Sequence, residues 1–198
     1  ELREKSRPLW PAVWSRSTVL TSSYGHGVAI TPLHLASAYA ALVNGGVWRP
    51  ATLMKVEAGK APQGRRVFTE ETSHRMRQML RLVVLHGSGK KGEAIGYRVG
   101  GKTGTANKPV AGGYSNTRVV TSFAGVFPMD DPRYVIVVML DEPKGIAETH
   151  GFRTAGWNVA PVVSKTVSRI APMLGVTPDK QREPDLGEVL PFIQQKAN

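Results

Sequence analysis

The chain has 198 residues, with 26 Lys and Arg against 15 Asp and Glu, a formal net charge of +11, and 41% hydrophobic residues. That length and apolar content suit one globular domain with a core of its own. There is no cysteine, which excludes disulfides, thiolate catalysis and cysteine-ligated zinc. The longest clean apolar run, Tyr134 to Leu140, is far too short to cross a bilayer. No secretory signal pattern is seen, and Glu1 opens the chain without an initiator Met, so a fragment of a longer polypeptide is expected. The basic charge suits nucleic acid, an anionic membrane surface, an anionic polymer or a plain solvated surface, and does not choose among them.

Residues 1–20, with Pro8, Trp10, Pro11 and Trp14, read as an irregular packed loop. A helix is expected from Thr31, an N-cap residue followed by Pro32 at the first helical position. Leu35, Ala36, Tyr39 and Val43 share its inner face, and Asn44-Gly45-Gly46 stops it. Val47 to Val56 reads as extended and Gly59 to Arg66 as a polar turn. A second helix is expected over Glu70 to Leu85, with Glu70 and Glu71 favoured in its first turn by the helix dipole. Its predicted buried stripe is Met76, Met79, Leu80 and Val83, with Arg75, Arg77 and Arg81 outside.

Tyr97 to Lys102 reads as a strand, Ala106 to Asn116 as a hairpin connection with Gly112-Gly113 at its tip, and Val119 to Phe127 as a second strand. Arg133 to Leu140 reads as a third strand, buried on both faces because its Val/Ile run is unbroken. A last helix is expected over Asn158 to Leu174, with Pro172 disturbing its end. Residues 177–198, with three prolines and many charges, read as a tail. Strands this closely spaced pair antiparallel, and helices packed on such a sheet make an α+β fold.

The chemistry concentrates at Gly100-Gly101-Lys102-Thr103-Gly104-Thr105-Ala106. An ammonium such as Lys102 attracts a carboxylate or passes a proton. The hydroxyls of Thr103 and Thr105 can donate to a carboxylate oxygen, and alternation along a strand puts both on one face. Gly104 between them lets a ligand approach the backbone. The N–H of Thr105 can polarise the carbonyl of a substrate lying against the strand, and one such donor is typically worth about 3–4 kcal/mol in a transition state. This arrangement suits acyl transfer from a peptide that ends in a free carboxylate.

The K-T-G motif recurs in penicillin-binding proteins and serine β-lactamases. With Ser23-Tyr24-Gly25-His26-Gly27, Thr31-Pro32-Leu33-His34-Leu35-Ala36, Asp141-Glu142-Pro143-Lys144 and Gly156-Trp157-Asn158-Val159-Ala160-Pro161, the chain from Arg7 to Val176 resembles the C-terminal part of a class B penicillin-binding transpeptidase domain, most like the septal, division-specific type. The resemblance implies part of the penicillin-binding/serine β-lactamase-like fold, a five-stranded antiparallel sheet flanked by helices, over residues 1–176. Two strands of that sheet, the S-x-x-K nucleophile and the S-x-N motif would lie before Glu1. It implies a serine D,D-transpeptidase that cross-links peptidoglycan through an acyl-enzyme, with Lys102 and Thr105 catalytic and Thr103, Gly104 and Thr105 binding substrate. His150 and Phe152 would wall the site. The ligands implied are peptidoglycan stem peptides and β-lactams, with no cofactor and no nucleic acid. The implied partners are the upstream half of the same polypeptide and cell-division membrane proteins, at the inner membrane with the catalytic domain on the periplasmic side. A D,D-carboxypeptidase or β-lactamase of the same fold, and a non-enzymatic basic binding module, are the alternatives.

Several literal matches are decoys. Ser88-Gly89-Lys90-Lys91 fits S-x-x-K but lies in a glycine-rich loop just before Lys102, and Tyr114-Ser115-Asn116 fits Y-x-N on the wrong side of K-T-G. The same loop resembles a phosphate-binding loop, but Val84 stands where its first glycine belongs and Lys91 where Ser or Thr belongs. In the family a G-x-G-K-K stretch of this kind leads into the motif strand, which implies a positional role. The five histidines form no ligand pair, so no metal site is expected. Asp141 and Glu142, adjacent on a strand, would point opposite ways and are expected to be structural.

Overall fold

A computed structural model describes residues 6–193. Helix α1 spans Arg16–Ser22, α2 Pro32–Val43, α3 Glu70–Leu85 and α4 Val159–Ile170. Strands β1 (Val47–Trp48) and β2 (Arg65–Arg66) form a small antiparallel pair. Strands β3 (Gly100–Val110), β4 (Gly113–Phe127) and β5 (Tyr134–Asp141) form an antiparallel sheet in the order β3-β4-β5.

Local chemistry sets the helix starts. Thr31 and Thr69 cap α2 and α3, accepting the N–H groups of His34 and Thr72, and Pro32 occupies the first position of α2. Helix α4 ends at Ile170, short of the expected Leu174, and Pro172 follows in a turn.

The sheet is covered on both faces, and the β4 pleat decides which helix meets which side chain. Phe123 and Phe127 point to one face and pack with Val159, Val163 and Val167 of α4. Val126 points to the other and packs with Val43 of α2, Leu80 of α3 and Met129. The register pairs Thr103 with Phe123, Thr105 with Thr121 and Lys102 with Ala124. Thr103 and Thr105 therefore share the α4 face of the sheet, and Lys102 faces the other way.

Several expectations change. The motif lies inside a long strand rather than ending one: β3 starts at Gly100 and runs on to Val110, and β4 starts at Gly113, so most of the expected hairpin connection is paired ladder. Residues before Ser23 hold a helix, α1, capped by Ser15, and Trp10 and Trp14 are 61% and 55% exposed instead of packed. Within Val47 to Val56 only β1 is strand, and the expected polar turn contributes β2.

Strand β5 is half-buried over most of its length, and Met139 is 53% exposed, so it is not buried on both faces. It pairs with β4 on one side, and among the described residues no strand pairs with its outer edge.

Helix α3 buries Leu80 and Val84 but also Ser73, Gln78 and Arg81, while Met79 is exposed. Arg81 is 2% exposed and donates to Glu93, to Glu183 and to the Val99 carbonyl oxygen (2.7 Å). These acceptors lie 12, 18 and 102 residues away, beyond the reach of helical periodicity, which therefore placed Arg81 outside. Residues 179–189, read as tail, are bound to the body. The Arg98 guanidinium donates to the Asp179 carbonyl at 3.0 Å, Gln78 Nε2 to the Asp185 carbonyl at 2.8 Å, and Leu186 and Val189 are buried.

Candidate active site

Among the described residues strand β3 forms one edge of the sheet and pairs with β4 alone. Two glycines let it sit there. A Cβ at position 101 would lie 2.5 Å from the Ala124 carbonyl oxygen and 2.6 Å from the Phe123 ring. A Cβ at position 104 would lie 2.7 Å from Ser122 Oγ. Gly104 lies between the two threonines in sequence but on the Lys102 face, and its missing side chain makes room there for Ser122 on β4.

The threonines open onto a cleft of about 380 Å³ between β3, the loop before it and the start of α4, lined among others by Ser88, Lys90, Lys91, Thr154 and Trp157. Thr103 Oγ1 and Ser88 Oγ are 2.6 Å apart and share one hydrogen bond. Thr105 Oγ1 accepts the N–H of buried Ala155 at 3.1 Å. In both cases one hydroxyl hydrogen remains for a ligand.

The far wall is stitched to the same face of the sheet. Thr121 Oγ1 donates to Asn158 Oδ1 at 2.9 Å, Asn158 Nδ2 donates to the Arg153 carbonyl at 2.8 Å, and the Arg153 guanidinium donates to the Thr117 carbonyl. These bonds hold residues 153–158 and so place Trp157. Gly156 permits the close approach, since a Cβ there would lie 2.6 Å from the Ser88 carbonyl oxygen.

Lys102 is exposed, and its Nζ donates to the carbonyl of Thr103 at 2.9 Å. It stands at the same strand edge as the threonines but on the opposite face. His150 and Phe152 back the cleft wall rather than line it. The His150 ring meets Trp157 edge-on at 5.1 Å and Phe152 stacks on Trp157 at 5.3 Å. Lys91 Nζ lies 4.2 Å from the Trp157 ring centroid. Tyr114 and Ser115 stand on the outer arm of β4, where Tyr114 stacks with His26 at 6.3 Å. Asp141 and Glu142 both pair with Lys108, at 3.0 and 2.8 Å. Strand alternation does not separate them, because Glu142 lies past the end of β5 with a left-handed φ of 49°.

Sequence reading singled out Thr103 and Thr105, which line the cleft, and Lys102, which does not, but named none of Trp157, Lys90 and Lys91 as cleft residues. The signal available was the G-x-G-K-K stretch just before the motif strand together with Trp157 at the start of a helix.

An edge strand carrying Lys-Thr-Gly-Thr, on an antiparallel sheet covered by helices on both faces, defines a penicillin-recognising domain. The chain matches the family described as Transpeptidase, the penicillin binding protein transpeptidase domain, over residues 4–165, and it belongs to that family. Among curated proteins it is 48% identical to "Probable peptidoglycan D,D-transpeptidase FtsI" of Caulobacter vibrioides, over 89% of this chain and 31% of that protein. It is 37% identical to "Stage V sporulation protein D" of Bacillus subtilis, over 82% of this chain and 26% of that protein. Among solved structures it is similar to the transpeptidase domain of Burkholderia pseudomallei penicillin-binding protein 3, with a TM-score of 0.75 and 38% identity, covering 83% of this chain and 49% of that one. Penicillin-binding protein 3 of Mycobacterium tuberculosis in complex with ampicillin aligns with a TM-score of 0.73 and 31% identity, covering 92% and 43%. The chain thus spans well under half the length of the curated relatives it matches.

Proposed function

We propose that this chain is the K-T-G-bearing part of a serine-type peptidoglycan D,D-transpeptidase that cross-links the cell wall at the division septum and is acylated by β-lactams. The observation that carries the reading is the edge position of β3, with the hydroxyls of Thr103 and Thr105 turned into an open cleft and Lys102 at the same edge. A stem peptide lying along the free edge would place its terminal carboxylate at the Thr103 and Thr105 hydroxyls. The serine nucleophile comes from the part of the relatives that this chain does not span. It attacks the penultimate carbonyl, the Thr105 N–H stabilises the oxyanion, and the terminal residue leaves as the acyl-enzyme forms. An acceptor amine then displaces the serine. Lys102 balances the developing charge and assists proton transfer.

A domain acting on peptidoglycan would stand outside the inner membrane with its substrate, and the septal reading puts it beside cell-division membrane proteins. Among the described residues no helix is long and apolar enough to cross a membrane.

The test is labelling of the intact polypeptide that carries this chain with a fluorescent penicillin, followed by mapping of the adduct. A stable adduct on a serine outside these 198 residues is the expected result. No adduct, or an adduct on Ser88, would refute the assignment.

A further inference from the structure

The cleft beside the motif strand is rich in donors and poor in acceptors. Two ammonium groups, Lys90 and Lys91, line it with the hydroxyls of Ser88, Thr103, Thr105 and Thr154, and among the described residues no carboxylate lines it. Among the described residues the ion pairs engage neither Lys90 nor Lys91. The ammonium of Lys91 lies 4.2 Å from the centroid of Trp157, a contact that holds the charge over the cleft without neutralising it. The pair Ser88 and Thr103 keeps one free hydroxyl hydrogen, and so does Thr105, whose oxygen already accepts from Ala155.

A single carboxylate offers two oxygens, and the hydroxyl hydrogens suffice for these. The two ammoniums are then surplus. Charges of one sign gathered in a concave site with no counter-charge raise the local concentration of an anion. The geometry points to a second anion subsite: Lys90 and Lys91 recognise a further carboxylate on the acyl donor, so that the preferred substrate is a peptide carrying an acidic group besides its terminal carboxylate. This deepens the transpeptidase reading and rests on it.

The experiment compares benzylpenicillin with α-carboxybenzylpenicillin, which differ by one carboxylate, on the intact polypeptide. The readout is the ratio of their second-order acylation rates, with melting temperature as the folding control. The Lys90→Met, Lys91→Met double variant is expected to lower the dicarboxylate-to-monocarboxylate ratio about fivefold to tenfold, and less at high salt, because the lysines are exposed. Replacing both by Arg keeps the charge and is expected to keep the ratio. Lys165→Met, which removes an exposed charge from α4, controls for net charge and is expected to leave the ratio unchanged. An unchanged ratio in the Met double variant, with normal labelling, would overturn the second subsite alone. Failure of the wild-type polypeptide to be labelled by either penicillin would overturn the transpeptidase reading and the subsite with it.

Discussion

Each member of the motif strand answers to a different neighbour. Lys102 is exposed and, among the described residues, its ammonium bonds only the next residue's carbonyl, so Lys102→Ala removes little packing. Its expected effect in the intact polypeptide is slower acylation by a fluorescent penicillin at an unchanged melting temperature. A wild-type rate would remove Lys102 from the site. Thr105 is different, because its oxygen satisfies the N–H of Ala155, a residue 1% exposed. Thr105→Ala strands that donor, at a typical cost of about 1–3 kcal/mol, and loosens the wall that holds Trp157. Both melting temperature and acylation are expected to fall, and Thr105→Ser is expected to restore both. Gly101 answers to packing alone: a methyl there would press on the Ala124 carbonyl and Phe123. Overpacking of this kind typically costs about 1–3 kcal/mol, so Gly101→Ala is expected to destabilise the fold in thermal melts.

Helix α3 reaches the motif strand through a buried charge. Burial works against the Arg81 cation, but the Glu183 and Glu93 carboxylates outweigh it and its pKa is raised. Through Val99 it grips the residue just before β3. Removing one partner of a buried pair typically costs about 3–5 kcal/mol, whereas an apolar replacement of the whole pair can be neutral. Arg81→Met is therefore expected to lower stability sharply in denaturant melts, and Arg81→Met with Glu93→Met to recover much of the loss. Equal instability of the single and double variants would show that the ion pair is not the source. The strap after α4 has its own pH sensor. The N–H of Gln181 first, then that of Arg182 and the nearby arginine charges, hold the Asp179 carboxyl below its ordinary value. Its contribution is present above the unfolded carboxylate pKa and is lost as pH falls through the lowered folded value. Asp179→Asn is expected to flatten the melting-temperature curve below about pH 5.

The whole molecule is a sheet with two different edges. Among the described residues the β3 edge is open beside the cleft, and the outer edge of β5 is unpaired and flanked by half-buried Val and Ile side chains. An unpaired apolar edge invites pairing with another chain. The 198-residue chain expressed by itself is expected to self-associate, read by light scattering, and a soluble monomer with cooperative unfolding would contradict this.

Features written in neighbouring residues were legible in advance. The cap Thr31, the bounds of α3, the shared face of Thr103 and Thr105 and the family motif all follow from spacing within a few positions. The length of β3 and β4 was underestimated because a strand's extent depends on its partner's ladder, not on its own composition. Burial of Arg81 was invisible because its acceptors, Glu93, Val99 and Glu183, are brought together only by the fold. The cleft wall at Trp157 likewise exists because Thr105 and Thr121 tie residues 155–158 down across some 40 to 50 positions of chain. Side-chain identity and local period marked Lys102, Thr103 and Thr105 as the candidate groups. Only long-range hydrogen bonds and packing decided which surface they face and what stands opposite them.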